Sequence, residues 1–132
     1  MSANPLLNSC PDAVLLCVDD DPAILAVMRD LLETSGYAVF TAADGLQAIE
    51  IFRRNRIDLV LVDYEMPGMK GPELAVKIKS LSPCTPVILH SGSLEIPDSA
   101  RRATDAFVPK GHDICFLVTA VSNLIMKSRF RH

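Results

Sequence analysis

The sequence predicts an α/β domain built on a doubly wound, five-stranded parallel sheet in the order 2-1-3-4-5, with a shortened fourth helix. Five short apolar runs alternate with segments of helical period, the pattern of repeated β-α-β units. Runs such as "LVLV" (59–62) are apolar on consecutive residues, as strands covered by helices on both faces must be. "YAVFT" (37–41) is the most polar run, which makes it the natural edge strand. Right-handed crossovers leave few other orders.

The elements follow in turn. "AVLLCV" (13–18) reads as the first strand. Asp21 as N-cap and Pro22 at the first helical position open a helix. Its buried face carries Ile24, Leu25, Met28, Leu31 and Leu32, and it stops at Gly36. "YAVFT" is the second strand. Asp44 with Gln47 three residues on forms a capping-box pattern for a helix reaching about Asn55. "LVLV" is the third strand. Gly71 and Pro72 open a third helix carrying Leu74, Ala75, Ile78 and Leu81. "PVILH" (86–90) and "AFVP" (106–109) are the last two strands. The loops needed to close the crossover between them leave about two turns of helix, from Pro97 to Ala103 with Pro97 in the first turn. The final helix carries the cleanest stripe: Ile114, Leu117, Val118, Val121, Leu124 and Ile125. The domain is expected to span residues 12–127, with 1–11 and 128–132 frayed.

A chain of 132 residues suits one domain with one sizeable core, and 49% apolar with 22% charged residues is ordinary globular composition. The net charge of −3 weighs against direct binding to nucleic acid or an acidic membrane. "RRNR" (53–56) reads as cations at a helix C-terminus. No apolar run approaches membrane-spanning length, and residues 1–12 lack the basic start and apolar core of a signal peptide. The four cysteines show no C-x-x-C pair. A reduced, cytoplasmic setting is therefore expected. His90 and His112 have no partner at ligand spacing and read as structural; the five methionines are scattered and read as core filling.

In "VLLCVDDDP" (14–22) a buried run meets three adjacent carboxylates, which repel one another and resist desolvation. Asp21 is accounted for as a cap. Asp19 and Asp20 are surplus for two solvated loop residues. Ligands in doubly wound sheets sit beyond the carboxyl ends of the strands. Those ends carry Asp19 and Asp20, then Asp63, Ser91 and Lys110, while the edge strand supplies nothing ionisable. Three carboxylates so close need a cation, and oxygen donors suit Mg²⁺ or Mn²⁺ better than zinc. A carboxylate beside such a metal and a lysine can act as a nucleophile towards phosphorus.

The motifs "VDDDP", "DLVLVDYEMPGMKG", "VILHSGS" and "AFVPKG" together resemble the receiver domain of two-component response regulators, over roughly residues 12–127. The resemblance implies a flavodoxin-like fold. It also implies a magnesium-dependent phosphoprotein that takes a phosphoryl group on Asp63 from a histidine kinase or histidine phosphotransfer protein. It further assigns Asp20 as a direct metal ligand, Asp19 as an acid acting through water, and the carbonyl of Glu65 as another ligand. Ser91 becomes the switch hydroxyl, Phe107 the switch aromatic and Lys110 the phosphate-binding lysine. Such a module is no enzyme beyond phosphoryl transfer to, and loss from, its own aspartate, and it signals to a downstream protein partner. Three features depart from the commonest family pattern. Gly111, not proline, follows Lys110, so that bond should be trans. Glu65 adds an acid at the pocket rim, and the stretch from Ser91 to Lys110 is short. Two rivals remain. One is an Mg²⁺-dependent phosphatase with an aspartyl nucleophile, which usually has a second Asp where Glu65 stands. The other is a pseudo-receiver that only binds, against which the intact Asp19, Asp20, Asp63 and Lys110 count.

Overall fold

The computed structural model describes residues 13–92, 96–111 and 114–129, with only the backbone at 114 and 129. Strands β1 (Val14–Val18), β2 (Ala38–Ala42), β3 (Leu59–Asp63), β4 (Val87–Ser91) and β5 (Ala106–Pro109) alternate with five helices. These are α1 (Pro22–Thr34), α2 (Gly45–Arg54), α3 (Gly71–Leu81), α4 (Asp98–Arg102) and α5 (Ile114–Arg129). The sheet order is β2-β1-β3-β4-β5, and every neighbouring pair is parallel. The expected topology is therefore the observed one.

Alternation of side chains along each strand divides the core between the two faces. Leu15, Leu59, Leu61 and Ile88 meet Met28 and Leu32 of α1 and Val121 and Ile125 of α5. Leu16, Val60 and Val62 meet Ala48 of α2 and Leu74 and Ile78 of α3. β3 is buried at all five residues, as its unbroken apolar run requires. A third, smaller cluster joins Leu89, Ile96 and Ala100, with Tyr64 and Phe107 packed against it.

Local chemistry sets the ends. Asp21 accepts the Ala23 N–H at 2.9 Å, with Pro22 beginning α1. Gly36, at φ 100°, turns the chain out of α1, a conformation open to glycine at little cost. Asp44 accepts the Gln47 N–H at 2.8 Å, while Gln47 Oε1 takes the Ala43 N–H at 2.7 Å. The glutamine thus reaches one residue further back than a capping box requires. The Tyr37 N–H is spent on the Leu32 carbonyl at 3.1 Å, so β2 starts at Ala38, one residue later than expected. At this edge, Arg29 Nη2 donates to the Val39 carbonyl at 3.4 Å. At the other edge β5 ends in Pro109.

Two further boundaries differ from expectation. Pro97 is the N-cap of α4 rather than its first helical residue, leaving a helix of five residues. α5 continues to Arg129, two residues past the expected domain end, and Ser128 Oγ donates to the Cys84 carbonyl at 3.3 Å. That bond ties the helix end to the loop before β4. The other expected frayed residues, 1–11 and 130–132, lie outside the described ones, as does His112. No helix among the described residues is long and apolar enough to cross a membrane.

Candidate functional site

The carboxyl ends of the three central strands and of β5 converge. Asp19 follows β1 and its N–H still donates to the Ala42 carbonyl at 3.1 Å, which holds it in line with the sheet. Asp63 closes β3. Both are buried, at 4% and 6% exposure, whereas Asp20 is exposed. One carboxylate oxygen from each of Asp19, Asp20 and Asp63 lies within 4.8 Å of the others. The Asp21 N–H donates to Asp19 Oδ1 at 3.0 Å, so the residue that caps α1 also orients its neighbour's carboxylate.

Lys110 arrives from the far side of the sheet. Ser91 pairs with Pro109 in the β4–β5 register, and the Lys110 N–H donates to the Ser91 carbonyl at 2.7 Å. Lys110 Nζ then stands 3.0 Å from Asp63 Oδ1 and 3.3 Å from Asp19 Oδ2. Burial alone would lower its pKa, but the hydrogen bond and charge of Asp63, with those of Asp19, outweigh it and raise the pKa. Lys110 is therefore an ammonium. Asp63 is raised above the usual 3.8 mainly by burial, with Asp19 adding repulsion; Lys110 and the Glu65 backbone N–H pull the other way.

Three carboxylates against one ammonium leave a deficit of two positive charges. Hard oxygen donors, one of them exposed enough to leave room for water, fit a divalent cation such as Mg²⁺. Glu65 is exposed, and its carboxylate is outside this three-acid group. Ser91 is 2% exposed at the end of β4. Phe107 is half-buried on β5, paired in register with Leu89. The described peptide bonds, including Lys110–Gly111, are trans.

The loop from Asp63 to α3 is closed by the Gly71 N–H, which donates to the Tyr64 carbonyl at 3.1 Å. A Cβ at residue 71 would collide with the Asp63 carbonyl oxygen, so only glycine lets α3 start against the backbone of that aspartate. In the same loop Met66 is buried, and Met69 sits over Gly45 of α2, both in keeping with core filling.

His90 gains a neighbourhood that its spacing did not reveal. It pairs with Asp63 in the β3–β4 register and shares a small cavity with Cys17, Asp19 and Asp63. Burial first, and the Lys110 charge second, lower its pKa from 6.5 to about 4, against the pull of Asp19. Neutral His90 therefore contributes stability that is present above pH 6.5 and lost as the pH falls towards about 4. Melting temperatures of the wild type should fall more steeply over that window than those of His90→Leu. Parallel melting profiles would refute this assignment. Cys17, fully buried beside these groups, has its thiol pushed up to about 12, so it packs as a small apolar group.

Comparison with known proteins places this geometry in context. The family description "Response regulator receiver domain" matches residues 15–121. The transcriptional regulatory protein GlrR of Escherichia coli is 33% identical over 119 residues, covering 88% of this chain. The chain spans only 27% of the length of that relative. Among solved structures, the response regulator TrrA of Thermotoga maritima in complex with Mg²⁺-BeF is 31% identical with a TM-score of 0.81. The likeness covers 85% of this chain and 98% of that one. TrrA in complex with the histidine kinase ThkA is 33% identical, with a TM-score of 0.79, covering 85% and 97%.

Proposed function

The chain belongs to the response regulator receiver domain family, and from that premise we propose that Asp63 accepts a phosphoryl group and that its modification switches the domain between two conformations. The observation that carries the proposal is the buried contact of Lys110 Nζ with both Asp63 and Asp19, beside the exposed Asp20. An Asp63 carboxylate oxygen attacks phosphorus and a phosphoacyl bond forms. The P–N bond of a phosphohistidine donor breaks, and its electron pair leaves with the imidazole. Asp20, Asp63 and the Glu65 carbonyl, with Asp19 acting through water, would hold a divalent cation such as Mg²⁺ or Mn²⁺, which when bound would neutralise charge on the phosphoryl oxygens as a Lewis acid. Lys110 offsets the same charge with its ammonium. The Ser91 hydroxyl, at the neighbouring strand end, hydrogen-bonds a phosphoryl oxygen, and Phe107 follows it inward.

The donor is a histidine kinase or a histidine phosphotransfer protein, a reading supported by the TrrA–ThkA complex. The phosphorylated face then engages a downstream protein rather than nucleic acid, in keeping with the net charge of −3. Turnover is confined to the chain's own aspartate. The phosphatase alternative is weakened because the Glu65 carboxylate stands outside the acidic group.

Incubation with acetyl phosphate and Mg²⁺ should add one phosphoryl group, seen by intact-mass analysis and removed by hydroxylamine, as an acyl phosphate must be. No incorporation, or a hydroxylamine-resistant adduct, would refute the proposal.

A further inference from the structure

Arg101 lies in the last turn of α4, and its guanidinium carbon sits 5.3 Å from the centroid of the Phe107 ring. A cation in that position is attracted to the face of an aromatic ring. The contact has an unusual setting. α4 has five residues, too few to be stable alone. Its one buried residue, Ala100, packs with Leu89 and Ile96, with Tyr64 and Phe107 against them, and its C-cap Ala103 packs against the second core cluster. The ring of Phe107 is thus shared between the packing that seats α4 and the cation above it.

We infer that Arg101 is a positioning residue that latches Phe107 in the arrangement belonging to the unmodified Asp63 carboxylate, so that the ring and α4 move as one unit. The inference rests on the reading of Phe107 as the switch aromatic. In this arrangement Lys110 pairs directly with Asp63 while the ring lies under Arg101. Inward rotation of Phe107 breaks the contact, so the latch opposes the modified state. Its removal then raises affinity for a phosphoryl mimic by the differential energy of the contact. At an exposed site that corresponds to about two- to fivefold.

The test is a calorimetric titration of the full chain with beryllofluoride in saturating Mg²⁺, comparing wild type, Arg101→Met, Arg101→Lys, Phe107→Leu and Arg101→Met with Phe107→Leu together. Arg101→Met keeps the aliphatic stem and removes the charge. It should bind beryllofluoride about two- to fivefold more tightly, with Mg²⁺ affinity unchanged. Arg101→Lys should stay within about twofold of wild type, since the ammonium replaces the cation. In the Phe107→Leu background, Arg101→Met should have no effect, because the ring it acts through is gone. A purely structural role in α4 would persist in that background and would overturn the inference, as would unchanged or weakened binding by Arg101→Met. Failure of the wild type to bind beryllofluoride at all would instead defeat the proposed function.

Discussion

Asp63→Asn should take up no phosphoryl group from acetyl phosphate under conditions that label the wild type completely, and at pH 7 it should melt at a higher temperature than the wild type. The first result follows from chemistry: an amide oxygen at this position lacks the charge to attack phosphorus and cannot yield an acyl phosphate. The second follows from the environment of the side chain. Asp63 is 6% exposed, faces Asp19 and Asp20, and has a pKa raised above 3.8 mainly by burial. A carboxyl raised in the fold contributes stability below its usual pKa and loses it as the pH climbs through the folded value. Ionised Asp63 is therefore a cost at neutral pH, and the amide removes it while Lys110 keeps Asp19 as a partner. The gain should be a few degrees at pH 7 in a chelator and should vanish as the pH approaches 3.8. Intact mass and melting curves read both effects. Equal labelling of the two proteins would move the acceptor elsewhere, and a lower melting temperature at pH 7 would contradict the electrostatic reading.

Asp20→Ala and Asp21→Ala should separate metal binding from helix capping within one triplet. The Asp20 carboxylate belongs to the three-acid group, and Asp21 accepts the first N–H of α1. A carboxylate about 4 Å from a dication is worth about 2 kcal/mol even in the dielectric of bulk water. Asp20→Ala should therefore weaken Mg²⁺ binding by at least about tenfold, with little change in melting. Asp21→Ala should lose about 1 kcal/mol of stability, the usual value of an N-cap, and bind Mg²⁺ nearly normally. Calorimetric Mg²⁺ titration with parallel thermal melts would decide it. The reverse ranking would mean that the two roles are exchanged.

Much of this was legible in the residues because the relevant signals are local. Doubly apolar runs marked the strands, and Asp21 and Asp44 announced the helix starts that they in fact cap. Once the strand order was inferred, the strand ends brought Asp19, Asp20, Asp63 and Lys110 together without further information. The less visible features depend on register or close approach. His90 meets Asp63 only because β3 and β4 align those residues. The sole clue in the chain was its place beside Ser91 at a strand end. The need for glycine at 71 arises from the backbone of residue 63, and the Arg101–Phe107 contact joins a helix to a strand. The reach of α5 to Arg129 was not legible because "KSRFRH" is basic and polar, whereas Ser128 bonds to a loop 44 positions away in sequence.

An open sheet of five strands has two outer edges, each a template on which a second chain could add a strand and begin an aggregate. Both edges here carry an obstacle. On β2, the Arg29 guanidinium occupies the Val39 carbonyl and sets a charge where an incoming strand would lie. On β5, the Lys110 N–H is turned to Ser91, so by alternation the nitrogen of Pro109 faces outward, where it has no hydrogen to offer. Edge-to-edge growth from either side would have to displace a cation or leave a hydrogen bond unmade. The sheet that assembles the acidic site is in this way protected against fibrillar self-templating by two residues that take no part in its chemistry.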